Sequence, residues 1–236
     1  MSGIAALPLL IGHRGARGLA PENTLKALEA GIAAGCPWLE FDVQLHPSGE
    51  LFLLHDLTLQ RTTSGQGLAA DCTWPALRAL DAGQGEQLPT LDEALDCIGQ
   101  RAKVNIEVKT WGGTAAAVAE CLRSRLAKGW RAEQFMVSSF HLPELQAFKQ
   151  ALPTVPVAVL LCGVPLDWAA CASTLGAVAL NQSAEFVDAQ LVADAKARGL
   201  QVNVYTVNDA DEYLRLAALG VDGVFTDVPD RLRAAT

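Results

Sequence analysis

Basic residues are in deficit. Eighteen Lys and Arg stand against 26 Asp and Glu, a formal charge of −8 over 236 residues. That balance excludes an enzyme that grips nucleic acid through a broad basic surface, and an anionic substrate would have to be drawn in by a few local cations. Long apolar runs are missing too: none approaches the roughly 20 residues that cross a bilayer. The opening Met1 to Gly12 shows neither a basic leader nor a cleavage site, so the expectation is a cytoplasmic protein without stable membrane association. No low-complexity stretch occurs, and with half the residues apolar and 19% charged the disordered and fibrous classes are excluded. The cysteines at 36, 72, 97, 121, 162 and 171 form no CxxC pair and lack the density of a disulfide scaffold. They read as reduced and mostly buried small hydrophobes. Histidine is scarce as well, only His13, His46, His55 and His141, so the place of each carries information.

What is present is enough chain for one domain, residues 1–236, with a sizeable core. Short apolar runs occur at Leu9 to Gly12, Trp38 to Val43, Val104 to Val108, Phe135 to Ser139, Val157 to Leu161, Ala177 to Leu180, Val202 to Thr206 and Gly223 to Thr226. Helical patterns separate most of them and stop at Gly35, Gly129, Gly176, Gly199 and Gly220, while Thr90 and Glu93 form a capping box. Eight strands alternating with helices predict a (β/α)8 TIM barrel, ahead of a doubly wound sheet, because Gly12 to Gly18 has the wrong spacing for GxGxxG. The second unit is exceptional. Residues Gln44 to Pro89 hold no long helical pattern but open on His46-Pro47-Ser48-Gly49 and Leu51 to Leu54, so a hairpin and a small insertion are expected at about 44–89.

Barrel chemistry sits at the carboxyl ends of the strands, which makes the polar residues closing each strand candidates. Glu40 and Asp42 lie two apart and share one side of a strand; with Leu39, Phe41 and Val43 facing the helices, both carboxylates face the barrel axis. Glu107 and Lys109 repeat the arrangement on the next strand. Three inward carboxylates without a Cys or His cluster suit Mg²⁺ or Ca²⁺, or Mn²⁺, rather than Zn²⁺. Arg14 follows His13 at a strand end, where an arginine needs an anionic partner, so Arg14 and Lys109 read as phosphate or carboxylate clamps. His13 and His55 are the proton-transfer candidates. His46, in a turn, and His141, beside Pro143, read as surface or loop-packing residues.

His13-Arg14-Gly15, Pro21-Glu22-Asn23-Thr24, Glu40-x-Asp42, His55-Asp56 and Ile106-Glu107-Val108-Lys109, in this order, resemble the glycerophosphodiester phosphodiesterase family, in particular its short cytosolic bacterial members. The resemblance runs from Leu9 to Asp227. It implies a TIM barrel with a small insertion after the second strand, and metal-dependent hydrolysis of a small-molecule glycerophosphodiester to sn-glycerol 3-phosphate and an alcohol. It also implies His13 and His55 as acid/base pair, Arg14 and Lys109 at the phosphate, and Glu40, Asp42 and Glu107 on a divalent ion. Pro21 to Thr24 reads as structural, with Asn23 or Thr24 capping a helix. Tyr205 stands where similar proteins often carry tryptophan, which touches the wall of the site. Two other readings compete: a lysophospholipase D-type enzyme with an acyl groove lined by Leu51, Phe52, Leu57, Leu59, Leu68, Trp74, Leu77 and Leu80, and an inactive phosphoester-binding barrel. No nucleic acid partner is expected, and no motif specifies an oligomeric state.

Overall fold

The computed structural model describes residues 6–234. Strands β1 (Leu9–Gly12), β2 (Trp38–Leu45), β3 (Leu51–Leu53), β4 (Lys103–Val108), β5 (Phe135–Ser139), β6 (Val157–Leu161), β7 (Ala179–Ser183), β8 (Gln201–Tyr205) and β9 (Gly223–Thr226) belong to one sheet. All but β3 run parallel to their neighbours, and the circle closes where β1 pairs with both β9 and β2. Outside lie α1 (Leu25–Ala33), α2 (Trp74–Arg78), α3 (Leu91–Ile98), α4 (Thr114–Ala127), α5 (Leu142–Ala151), α6 (Ala170–Leu175), α7 (Ala189–Ala197), α8 (Ala210–Leu219) and α9 (Pro229–Ala234). This is a TIM barrel, as expected.

Alternation explains it. Leu39, Phe41, Val43, Val104, Ile106 and Val108 are buried in the main apolar core with Leu91, Leu95 and Ile98 of α3, and the residues between them turn to the axis. Helix starts follow their caps: Thr24 Oγ1 accepts from Ala27 N at 3.2 Å, and Thr90 and Glu93 exchange hydrogen bonds of 3.1 and 2.8 Å. The glycines expected to stop helices all adopt positive φ just past a helix end.

Two strands shift. The run expected at Ala177 to Leu180 is a strand at Ala179–Ser183, and that expected at Val202 to Thr206 is Gln201–Tyr205. Hydropathy marks the first one early because Asn181 and Gln182, though polar, are fully buried, Asn181 against Asn203 and Gln182 against the Gly163 carbonyl. The cysteine expectation also needs correction. All six are free, but only Cys36 is buried; Cys162 is exposed just past β6 and the rest are half-buried.

After β2 the chain turns through residues 46–50 into the short antiparallel β3, with Val43 opposite Leu53 and Leu45 opposite Leu51. Most residues suggested for an acyl groove close on one another instead: Phe52, Leu59 and Leu77 are buried with Leu54, Ala69, Ala82 and Leu88, and Trp74 and Leu80 pack against them. Leu57 and Leu68 remain exposed. Among the described residues no helix is long and apolar enough to cross a membrane.

Candidate active site

The turn after β1 is built for close approach. Gly15, at φ +89°, lies so near α1 that a Cβ there would stand 2.6 Å from the Ala27 carbonyl carbon. Arg14 itself takes φ +51°, a left-handed conformation that costs a non-glycine residue of order 1 kcal/mol. The conformation is held because the Arg14 N–H donates to Glu40 Oε2 at 2.8 Å. A strained backbone thus joins the first strand's arginine to the second strand's carboxylate.

Register places the acidic residues. Across β2 and β4, Asp42 lies opposite Glu107 and Glu40 opposite Asn105. Carboxylate oxygens of Glu40, Asp42 and Glu107 lie within 4.8 Å of one another, with Glu40 and Asp42 buried. Burial first, then the neighbouring Asp42, holds the Glu40 carboxyl well above its ordinary range and pushes Glu107 up to about 7. Glu40 Oε1 and Asp42 Oδ1 are buried without a hydrogen-bond partner. Lys109, just past the end of β4, donates to Glu107 at 2.7 Å and stands 3.7 Å from Asp42.

His13 and His55 both line a cavity of about 250 Å³ together with Arg14, Arg17, Glu40, Asn105, Glu107, Phe140, Leu160, Tyr205 and Phe225. Each imidazole is anchored the same way. His13 Nδ1 lies 2.6 Å from Asp227 Oδ1, and His55 Nδ1 lies 2.6 Å from Asp56 Oδ1. An Nδ1–H donated to a carboxylate leaves Nε2 as the nitrogen able to take a proton. Burial lowers the pKa of both histidines, outweighing the carboxylates that raise it. Asp227 in turn accepts from Arg17 Nε at 2.7 Å and Asn208 Nδ2 at 2.7 Å, and despite burial its carboxyl is held below the usual range.

The structure therefore brings together all seven residues singled out in the sequence, His13, Arg14, Glu40, Asp42, His55, Glu107 and Lys109. It also adds residues that sequence reasoning passed over. Thr24 caps α1, but Asn23 does not cap; at φ +56° it exchanges hydrogen bonds of 2.8 and 3.1 Å with the side chain and backbone of Asp42. Glu22 accepts from Arg14 Nη1 at 2.6 Å and pairs with Arg61. Pro21 to Thr24 thus serves the site as well as the helix. Asp227 had a visible signal, since it follows β9 as His13 follows β1; Arg61 had none.

His46 and His141 stay outside the cavity. His46 is buried against Phe52 and Trp74, with Nε2 3.0 Å from the Cys72 carbonyl, so it packs a loop and is not on the surface. His141 caps α5, accepting from Glu144 N at 3.1 Å, and stacks on the exposed Trp111. Tyr205 donates its hydroxyl to the Leu161 carbonyl at 2.8 Å and stands edge-on to Phe140 and Phe225, forming an apolar wall of the cavity, with Lys109 Nζ 5.7 Å from the Phe140 ring centre.

Residues 13–231 match the model of the glycerophosphoryl diester phosphodiesterase family. The chain is 33% identical over 233 residues to a glycerophosphodiester phosphodiesterase of Caldanaerobacter subterraneus subsp. tengcongensis, covering 95% of this chain and 96% of that one. To the enzyme of that name from Bacillus altitudinis it is 32% identical, covering 94% and 95%. Among solved structures, a phosphodiesterase of Oleispira antarctica in complex with the product sn-glycerol-3-phosphate superposes with a TM-score of 0.88 at 34% identity, covering 97% of this chain and 96% of that one. By sequence and by fold, the chain belongs to the glycerophosphoryl diester phosphodiesterase family.

Proposed function

We propose that this chain hydrolyses glycerophosphodiesters, such as glycerophosphocholine and glycerophosphoethanolamine, to sn-glycerol 3-phosphate and the free alcohol. The observation that carries the reading is the convergence on one cavity of His13 and His55, each anchored through Nδ1, with Arg14, Glu40 and Glu107, behind which Asp42 and Lys109 stand against the same carboxylates. The product held by the Oleispira phosphodiesterase, sn-glycerol-3-phosphate, is the one this reaction yields.

The donor set fits a hard divalent cation: all oxygen, crowded, and with two buried carboxylate oxygens lacking partners. Glu40, Asp42 and Glu107 would hold Mg²⁺ or Ca²⁺, or Mn²⁺. When bound, such an ion supplies positive charge against the phosphate and its developing negative charge. The chain's own groups do the rest. Arg14, whose guanidinium is already oriented by Glu22, and Lys109 hold the phosphate oxygens and offset the repulsion that an anionic diester presents to a nucleophile. His13 Nε2 takes the proton of the attacking water, or of a glycerol hydroxyl whose cyclic phosphate water then opens, and Asp227 stabilises the imidazolium that results. His55 Nε2, carried by the insertion, donates the proton that the departing alkoxide needs. The apolar wall of Tyr205, Phe140 and Phe225 limits water around these charges.

The test is a panel of glycerophosphocholine, glycerophosphoethanolamine, bis(p-nitrophenyl) phosphate and a lysolipid, each assayed with Mg²⁺ or Ca²⁺ for released phosphomonoester. Glycerophosphodiesters should lead by at least tenfold in kcat/KM. Equal rates on bis(p-nitrophenyl) phosphate would remove glycerol recognition from the proposal, and preference for the lysolipid would move the enzyme to the lysophospholipase D-type reading.

A further inference from the structure

Arg61 lies in the insertion, outside every motif read from the sequence, and its guanidinium is shared between two carboxylates. Nε donates to Asp56 Oδ2 at 2.6 Å and Nη2 to Asp56 Oδ1 at 3.1 Å; Nη1 donates to Glu22 Oε2 and Nη2 to Glu22 Oε1, each at 2.8 Å. Each carboxylate then passes to a cavity residue. Asp56 Oδ1 holds His55 Nδ1, and Glu22 Oε1 holds Arg14 Nη1, both at 2.6 Å. The result is one continuous chain of charge-assisted hydrogen bonds, Arg14–Glu22–Arg61–Asp56–His55, crossing from the turn after β1 to the insertion.

We infer that Arg61 is a positioning residue that sets the orientation of His55 and Arg14 relative to each other. The inference rests on the reading of those two residues given under Proposed function. Burial marks the difference between this role and a structural one. The Arg61 side chain is 44% exposed, so solvent screens its ion pairs and limits what they add to stability. Asp56 and Glu22, by contrast, each have one oxygen bonded to a cavity residue, so losing Arg61 frees both carboxylates to rotate on the groups they orient. A planar guanidinium can serve two carboxylates in this forked manner; a lysine ammonium cannot match the geometry. Outer partners of this kind commonly change rate or affinity by 10- to 100-fold.

The experiment uses the full chain with Mg²⁺ and compares wild type with Arg61→Gln and Arg61→Lys. Arg61→Gln should keep the wild-type melting temperature within a few degrees, lower kcat about 10- to 100-fold and change KM less than about threefold. Arg61→Lys should recover only a small part of that loss. Combined with His55→Ala, Arg61→Gln should cost clearly less than it does alone, since one of the two groups it positions is already gone. A second readout needs no substrate: ring ¹⁵N shifts of His55 should show one fixed tautomer, protonated at Nδ1, in wild type and a mixture in Arg61→Gln. Full kcat in Arg61→Gln, a loss as large in the His55→Ala background as alone, complete rescue by lysine, or an unchanged tautomer would each overturn the inference. If the wild type itself turns over no glycerophosphodiester, the functional proposal fails, while the tautomer measurement still decides the role of Arg61.

Discussion

Replacing Asp227 by Asn removes one charge and keeps the shape. In the native protein Asp227 Oδ1 accepts from His13 and Arg17, and Oδ2 accepts from Asn208, whose own Oδ1 is committed to the Asp227 backbone N–H at 2.8 Å. An asparagine therefore has no comfortable orientation. With its oxygen toward His13 and Arg17, its amino group meets the Asn208 amino group; flipped, its amino group meets Arg17 and forces His13 into the wrong tautomer. The charge lost is the larger matter. Unit charges about 4 Å apart interact by about 4 kcal/mol at an effective dielectric of about 20, and the amide dipole retains part of that. A loss of about 2–4 kcal/mol in stabilising the His13 imidazolium corresponds to a kcat roughly 30- to 1,000-fold lower. Because Asp227 raises the His13 pKa against the lowering by burial, the variant's His13 should titrate at still lower pH. If His13 is the base, the acid limb of the kcat–pH profile then moves to lower pH. Glycerophosphocholine turnover, coupled to glycerol 3-phosphate detection across pH 5–9, measures both. A kcat within threefold of wild type, or an acid limb moved upward, would refute the assignment of Asp227 as the group that holds and charges His13.

Chelation followed by exhaustive dialysis should abolish turnover, Mg²⁺, Mn²⁺ or Ca²⁺ should restore it, and Ala at Glu40, Asp42 or Glu107 should lower kcat/KM by roughly 100-fold or more; full activity in excess chelator would exclude the carboxylate site as a metal site. Ala at either histidine should lower the rate roughly 100- to 10,000-fold on glycerophosphocholine, and His55→Ala alone should recover on a glycerol nitrophenyl phosphodiester, whose leaving group needs no proton; recovery by His13→Ala instead would exchange the two roles. Glu22 supplies a pH signature in stability: burial raises its pKa, but Arg61 and Arg14 outweigh burial and hold it at about 2. Its folded-state value lies below the unfolded one, so its contribution is complete above about pH 4.5 and disappears as pH falls through about 2. Glu22→Gln should start less stable at pH 7 in urea titrations and lose stability less steeply over that window; parallel curves would show that Glu22 is not held by its arginines.

Much of the barrel was legible because its signals are local. The alternation Leu39-Glu40-Phe41-Asp42-Val43 encodes both which strand face packs on helices and which carboxylates meet on the axis, and Ile106-Glu107-Val108 repeats it one strand away. The last barrel strands were harder, since Asn181 and Gln182 are polar yet fully enclosed and blur the hydropathy that marks a strand. The supporting partners were hardest. Asn23 reaches Asp42 across 19 residues, Arg61 reaches Glu22 across 39 and His13 reaches Asp227 across 214. No period or spacing records such meetings; only the closed barrel makes them neighbours. Asn23 read as a possible cap because asparagine favours helix starts, but its left-handed backbone and buried amide commit it to the carboxylate.

The pairing of His13 with Asp227 has a consequence for the order in which the protein becomes itself. One member follows the first strand and the other follows the last, and they meet because β1 pairs with β9 to close the cylinder. A chain whose β9 had not yet paired with β1 could already carry the carboxylates, Arg14, Lys109 and His55, yet its first histidine would still lack the aspartate that fixes which nitrogen it presents. With His13 in its proposed role, catalytic competence is tied to completion of the cylinder, and the onset of phosphodiesterase activity during refolding should report the moment its two ends join.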